Sequence, residues 1–158
     1  MTVTLTGTEE LLASTGTQLG PTDWMQVTQA EVDAFAALTG DRNWLHVDPV
    51  AAAAGPFGRT IVHGYFTMCL IPMMLAEIVA VNDAGTPVNY GCNRVRFPRP
   101  LGVEERFRMS AVVSSVEAVR GGTELVLTAS VECEDGGKPA CVADVVIRYL
   151  GTGPEATN

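Results

Sequence analysis

The segment of residues 65–79 constrains the fold more than any other part of the chain. It is apolar on nearly every helical face, and Glu77 is its one charged residue. It is shorter than the roughly 20 apolar residues that cross a bilayer, so a buried helix is favoured over a membrane span. Pro72 has no backbone N–H to donate. The segment therefore predicts a helix that begins near Gly64, lies buried in the middle of a domain and is kinked or briefly broken near Pro72.

Beyond Gly85 the apolar spacing changes from helical to two-residue alternation, which predicts strands. Three long runs alternate: Phe107, Met109, Ala111 and Val113; Leu125, Leu127, Ala129, Val131 and Cys133; and Cys141, Ala143, Val145, Ile147 and Tyr149. An earlier strand carries Val88, Tyr90 and Cys92, whereas Val95 and Phe97 have the opposite parity. A β-bulge between Cys92 and Val95 would explain that change. Glycine-rich turns separate the runs, so we expect an antiparallel meander.

One buried helix followed by a long antiparallel sheet predicts an α+β fold. Curling the sheet around the helix would cover the apolar face of the sheet and bury the helix. We expect a single domain over residues 1–158, with residues 1–20 and 151–158 peripheral.

Composition excludes several classes of partner. The net charge of −8 argues against nucleic acid, whose phosphates require clustered positive charge. The four cysteines show no metal-ligand spacing, so no metal is expected. The N-terminus lacks the basic start and apolar run of a secretory signal. We therefore expect a cytoplasmic protein with reduced thiols and no membrane attachment.

Residues 41–46 lie between two predicted helices. Thr28 and Glu31 have the spacing of a capping box and begin the first helix, which Gly40 ends. Asp48 followed by a proline begins the next helix. A segment anchored on both sides suits reactive groups because both anchors limit their drift.

His46 and Asp41 are the candidate reactive groups of this segment. Histidine titrates near neutral pH, and a nearby carboxylate can hold its tautomer or share its proton transfers. Two such groups that bracket one water suit the addition of water to a double bond, or its removal. The ordinary alternative makes both side chains hydrogen-bonded loop residues. Asn43 is expected to hold the loop through backbone hydrogen bonds or to assist catalysis, with equal weight on each role.

Gly64 begins the predicted buried helix, where backbone N–H groups have no helical partner. It is therefore the candidate donor to an oxyanion, and the alternative is a glycine needed for close packing. His63, which precedes it, is expected to fix the loop rather than to react.

The sequence Gly-Asp-Arg-Asn-Trp-Leu-His of residues 40–46 resembles the signature of the MaoC-like hydratases, which are (R)-specific enoyl-CoA hydratases of hotdog fold. That signature is Gly-Asp-x-Asn-Pro, an aliphatic residue and His. The similarity extends over roughly residues 22–150 and includes Ile-Val-His-Gly at 61–64. Trp44 replaces the proline of the signature, as in the NodN-like branch.

This resemblance implies a hotdog fold, a homodimer and a reversible syn hydration of a trans-2-enoyl thioester to an (R)-3-hydroxyacyl thioester. Asp41 and His46 match the catalytic pair of the family. No cofactor is implied, because the coenzyme A thioester is the substrate. Trp44 brings a large ring beside the pair, which bears on substrate size. A homodimer is also expected because the long edge strand of such a sheet is commonly covered by a partner.

Further residues are candidates for substrate binding. Tyr90 and Asn93, next to the predicted bulge, are expected to line the acyl or pantetheine tunnel, with a place in the core as the alternative for Tyr90. Arg94, Arg96 and Arg99 are candidates for coenzyme A phosphates or for the acidic helix of an acyl-carrier protein. A solvated sheet face is the ordinary alternative for each arginine.

Two other functions fit the same fold. A hotdog thioesterase would cleave the C–S bond, and the Asp-x-Asn-x-x-His pattern of residues 41–46 argues against it. A non-catalytic protein that binds acyl thioesters stays open, because the ring of Trp44 could block the pocket.

Overall fold

The computed structural model describes residues 1–151, so most of the segment expected to form a peripheral C-terminal tail, residues 152–158, lies outside the described residues. The helices are α1 (Gly7–Leu12), α2 (Gln29–Thr39), α3 (Trp44–Val47), α4 (Pro49–Ala53), α5 (Gly64–Cys69) and α6 (Ile71–Ile78). The strands are β1 (Val3–Thr6), β2 (Gln18–Leu19), β3 (Val79–Asn82), β4 (Thr86–Arg96), β5 (Phe107–Val119), β6 (Gly122–Cys133) and β7 (Cys141–Leu150).

The main sheet has five strands in the order β2-β5-β6-β7-β4, and every neighbouring pair is antiparallel. The predicted meander is confirmed for β5, β6 and β7, whose alternating side chains point into the core. A second, two-stranded sheet pairs β1 with β3 in parallel, which the sequence did not indicate. Because β4 comes last in the order, it forms one free edge of the main sheet.

Helix α6 packs its buried side chains on the inner face of the sheet. Ile71, Met74 and Ile78 belong to the same hydrophobic core as the inward residues of β5 to β7. The expected break is confirmed, because α5 ends at Cys69 and Pro72 lies in the first turn of α6. No helix of residues 1–151 is long and apolar enough to cross a membrane.

The expected burial of this helical segment on all sides is wrong for the single chain. Tyr65 is 70% exposed and Met73 is 49% exposed. The sheet covers only one side of α5 and α6, so the opposite side remains in solvent. The single chain therefore leaves two surfaces uncovered, namely this apolar side of α5 and α6 and the free edge of β4.

Strand β4 contains two register shifts against β7. The shift between Cys92 and Arg94 confirms the predicted bulge, and a second one lies between Asn89 and Gly91. As a result, Cys92 and Val95 both pair with core-facing residues of β7 despite their opposite parity in the sequence.

Residues 1–20, which the sequence led us to expect at the periphery, contribute two side chains to the core. Leu11 of α1 and Leu19 of β2 are almost completely buried and belong to the core. The sequence did not reveal this packing for two reasons. The short elements carry few apolar residues, and their strand partners, β3 and β5, lie far along the chain.

Candidate functional site

Local capping fixes the segment that carries Asp41 and His46. The Thr28–Glu31 capping box is present at the start of α2, and Gly40 ends α2 with a left-handed φ of 81°. The segment is not entirely a loop, because His46 lies on α3, a single helical turn that the sequence did not predict. The side chain of Asn43 caps α3 by accepting from the Leu45 N–H at 3.2 Å.

The imidazole of His46 is held by its Nδ1 atom. Nδ1 lies 2.7 Å from the carbonyl oxygen of Ile61, so it carries the proton and donates it to that oxygen. In the neutral ring, Nε2 is then the free acceptor. The backbone is held as well, because the amide Nε2 of Gln29 donates to the carbonyl of His46 at 2.7 Å.

His63 contacts both Asp41 and His46. Its Nε2 donates to the backbone carbonyl of Asp41 at 3.0 Å. Its ring is stacked on the ring of His46, with centroids 3.7 Å apart and planes inclined by 25°. The residue is only 3% exposed, and its Nδ1 is buried without a hydrogen-bond partner. The expectation that His63 fixes the loop agrees with these contacts.

One polar side-chain atom from each of Asp41, His46 and His63 lies within 4.8 Å of the other two. One water that makes two hydrogen bonds of ordinary length bridges groups about 4.6 Å apart. The carboxylate of Asp41 and the ring of His46 are thus close enough to share one water. Asp41 itself is exposed in the single chain, which leaves its carboxylate open to a ligand.

The same three side chains do not suit a metal ion. A metal bound by two imidazoles lies at about 2.0–2.1 Å from each nitrogen, along the lone pair in the ring plane. The rings of His46 and His63 are stacked face to face with centroids 3.7 Å apart, so their lone pairs do not converge on one point.

A cavity of about 300 Å³ adjoins His46. Gly64 and Thr67 of α5 and the ring of Phe97 form other parts of its wall. A Cβ atom on Gly64 would lie only 3.0–3.1 Å from the Phe97 ring, so the absence of a side chain allows this close approach. The first turn of α5 therefore borders the same cavity as His46.

Trp44 does not line this cavity. Its ring packs against Gly55, where an added Cβ would lie 2.9 Å from two ring carbons. The wall residues of the cavity do not include Trp44. The suggestion that this ring blocks the pocket therefore has no support in the described residues.

Tyr90 and Asn93 lie at the two irregular positions of β4, each between residues that change register. The ring of Tyr90 packs under the guanidinium of Arg148 at 3.4 Å, and the ring is 59% exposed. Tyr90 borders a groove of about 390 Å³ between α5 and β4, whereas neither residue lines the cavity at His46. The structure thus does not bring these two residues to Asp41 and His46.

The three candidate arginines differ in their partners. Arg99 forms ion pairs with Asp135 and Glu105. The hydrogen bond to Asp135, and to a smaller extent the charge of Glu105, raise the pKa of its guanidinium. Arg94 and Arg96 are exposed on β4, and neither pairs with a carboxylate among residues 1–151. Arg99 is therefore already occupied by carboxylates.

Sequence reasoning missed the residues that support the site from outside its motif. Gln29 and Thr60 form one hydrogen bond at 2.6 Å, and Gln29 also holds His46. Ile61 orients the imidazole through its carbonyl, and Phe97 closes the cavity over Gly64. The sequence carries no signal for these roles, because each depends on a contact between residues 15 or more positions apart.

The chain matches known proteins over most of its length. Residues 10–134 match the family described as MaoC like domain. The 3-hydroxyacyl-thioester dehydratase Z of Mycobacterium tuberculosis is 44% identical over 142 residues, which cover 89% of this chain and 94% of that protein. Nodulation protein N of Rhizobium leguminosarum is 37% identical over 133 residues, covering 82% of each chain.

The fold is also that of a solved hydratase. The structure of the (R)-hydratase from Aeromonas caviae involved in PHA biosynthesis covers 85% of this chain and 96% of its own, with a TM-score of 0.66 and 26% identity. The hotdog fold expected from the resemblance is confirmed. These matches show that the chain belongs to the MaoC-like dehydratase family, with a nodulation protein N among its relatives, and that it is an enzyme of the hydro-lyase class.

Proposed function

We propose that this protein catalyses the reversible syn addition of water to a trans-2-enoyl thioester, giving an (R)-3-hydroxyacyl thioester. Asp41 and His46 carry the chemistry. One observation supports this most directly: a carboxylate and an imidazole nitrogen lie within the span of a single water, and His46 borders a cavity of about 300 Å³. The relative from Mycobacterium tuberculosis is named for the reverse reaction on a 3-hydroxyacyl thioester.

The proton balance follows from the fixed tautomer of His46. The Nδ1 proton of His46 is hydrogen-bonded to the carbonyl of Ile61, so Nε2 accepts a proton from the bound water. The carboxylate of Asp41 accepts a hydrogen bond from the other O–H of that water and so orients it. The water oxygen bonds to C3, and the C2–C3 π electrons move toward the thioester carbonyl. The proton on Nε2 then returns to C2. Both additions use one face of the substrate, which gives syn stereochemistry, and no cofactor is needed.

The thioester oxygen gains negative charge during this step. We assign its stabilisation to the backbone N–H of Gly64, because the first turn of α5 has N–H groups without helical partners and borders the same cavity. Asn43 acts on the segment rather than on substrate, since its side chain caps α3.

The carrier of the acyl group is coenzyme A or an acyl-carrier protein, and in both the pantetheine arm is attached through a phosphate group. We propose Arg94 and Arg96 as its contacts, because they are exposed and have no carboxylate partner in the described part of the chain. Arg99 is a weaker candidate, since two carboxylates hold it. Tyr90 and Asn93 remain proposed tunnel residues, and the groove beside Tyr90 supports that role for Tyr90.

We also propose a homodimer formed through β4 and the exposed side of α5 and α6. A free sheet edge has unpaired backbone groups that a second copy can pair with. Large exposed apolar side chains lie on these elements or directly after β4: Tyr65, Met73, Val88, Tyr90 and Phe97. Light scattering of the purified chain at micromolar concentration should give twice the monomer mass. A monomer mass would refute the dimer.

The test of the reaction is incubation of the purified protein with crotonyl-CoA. Hydration removes the conjugated enoyl thioester absorbance, and chiral analysis should identify the (R)-3-hydroxy product. Asp41→Asn and His46→Ala should each lower turnover by about a hundredfold or more, the usual scale for positioned acid–base groups.

Asp83→Asn is the matched control for Asp41→Asn. It removes one carboxylate from the turn between β3 and β4, where the left-handed φ of 56° tolerates asparagine. It should leave turnover unchanged.

Release of free thiol from crotonyl-CoA without hydration would instead identify a thioesterase. Near-full turnover in both site variants would refute the assignment of Asp41 and His46.

A further inference from the structure

We infer that His63 is a positioning residue that holds Asp41 and His46 in register with each other. This inference rests on the proposed function, because it concerns the rate of that reaction. His63 contacts one member of the pair through its Nε2 and the other through its ring face. Within residues 1–151, the other side-chain hydrogen bond to the backbone of Asp41 is a longer one of 3.4 Å, from its N–H to the hydroxyl of Thr39, and no other ring stacks on His46.

The contact with Asp41 acts on the backbone. Nε2 of His63 donates at 3.0 Å to the carbonyl oxygen of Asp41, which directly follows the left-handed Gly40. The exposed side chain of Asp41 receives only a long bond of 3.4 Å, from the N–H of Asn43. Among the side-chain hydrogen bonds that involve Asp41 in the described residues, the one from His63 is the shortest.

The contact with His46 restrains the plane of its ring. The hydrogen bond to Ile61 fixes one atom of that ring, and a ring held at one atom can still tilt about it. Stacking at 3.7 Å against His63 removes this freedom. Together the two contacts direct Nε2 of His46.

His63 is itself held firmly enough to serve as a reference point. It is 3% exposed, it is the residue before α5, and its own carbonyl accepts from the Thr67 N–H at 3.0 Å. Phe35 of α2 packs against its ring with centroids 5.0 Å apart. His63 thus connects the reactive segment to α2 and α5.

Two substitutions separate the two contacts. His63→Gln keeps an N–H donor near the position of Nε2 but loses the ring, and His63→Phe keeps a ring for stacking but loses the donor. We expect His63→Phe to lower kcat by about ten- to a hundredfold with KM changed less than threefold, since small displacements of reacting groups have effects on this scale. On a logarithmic scale, the loss of kcat in His63→Gln should be at most two thirds of the loss in His63→Phe.

A double-substitution cycle separates a positioning role from a merely structural one, because it measures whether the kcat losses of two substitutions are additive. If His63 acts through Asp41, adding His63→Phe to Asp41→Asn should lower kcat by less than threefold further. Thermal unfolding of each variant shows how much of any loss comes from instability.

Three results would overturn the inference. The first is a kcat of His63→Phe within threefold of the parent, and the second is an equal loss of kcat in His63→Phe and His63→Gln. The third is additive losses of kcat when His63→Phe and Asp41→Asn are combined. If the parent chain hydrates no enoyl thioester, the proposed function fails by itself. Hydrogen exchange then tests the restraint directly. His63→Phe should speed amide exchange in residues 41–46 by about tenfold or more, whereas unchanged exchange would refute the restraint.

Discussion

Replacement of Gln29 by leucine should weaken both the stability and the activity of this enzyme. The amide of Gln29 donates to the carbonyl of His46 at 2.7 Å and accepts from the hydroxyl of Thr60 at 2.6 Å. A third bond, to Asp33 at 2.9 Å, lies in solvent. Leucine has a similar size but makes none of these bonds.

The magnitude follows from the burial of the partners. A net contribution of about 1 kcal/mol for each of the two part-buried bonds gives about 2 kcal/mol. Thr60 is 6% exposed, so its unpaired hydroxyl adds a desolvation cost that brings the loss to about 2–3 kcal/mol. For a domain of this size that loss lowers Tm by about 4–12 °C. Because the backbone of His46 loses a restraint, kcat should also fall by about tenfold.

Urea unfolding and crotonyl-CoA hydration measure the two effects, and two control variants isolate their causes. Thr60→Val removes one bond but leaves the bond between Gln29 and His46, so it should cost about 1 kcal/mol with little change in kcat. Asp33→Asn alters only the solvated bond and should change stability by less than about 0.5 kcal/mol. A loss below 0.5 kcal/mol in Gln29→Leu, or an equal loss of kcat in Thr60→Val, would refute this reasoning.

Four further predictions concern other elements. Thr28→Ala removes the cap of α2 and should cost about 1 kcal/mol in urea unfolding, and no change would mean that the cap is unimportant. Gly122→Ala places a Cβ against the carbonyl of Tyr149 and should cost about 3 kcal/mol. Met73→Glu should shift the proposed dimer toward monomer in sedimentation equilibrium, because it buries a charge in the interface. Burial raises the pKa of the Cys133 thiol from 9.0 to about 12, so folding favours the protonated thiol. Stability should therefore fall as the pH rises from 9 toward 12, and less steeply in Cys133→Ala.

The sequence predicted the elements whose periodicity is local. The alternating side chains of β5, β6 and β7 point inward as expected, and the break before Pro72 occurs within the predicted segment. The exposure of Tyr65 and Met73 could not be predicted, because apolar composition alone does not show whether a helix face is covered by the same chain or by another.

The sequence singled out Asp41 and His46 as the candidate reactive residues, but it did not predict the contacts that orient them. Asp41 and His46 lie five positions apart, so their proximity is a local property of the segment. The carbonyl of Ile61, the imidazole of His63 and the amide of Gln29 come from other parts of the chain. Such bonds form only after α2 and α5 pack beside the segment, and no periodicity in the sequence reports that packing.

Trp44 shows how the segment stays rigid without the proline of the signature that it resembles. Proline would restrict the backbone of residue 44 directly. Here the restriction comes from contacts instead: Asn43 caps α3, Asp48 accepts from two N–H groups of α4, and the Trp44 ring packs on Gly55 beyond α4. The ring thus connects the start of α3 to the end of α4 and lies outside the cavity at His46. We therefore expect Phe97 and the first turn of α5, which do line that cavity, to limit the size of the group that fits beside His46.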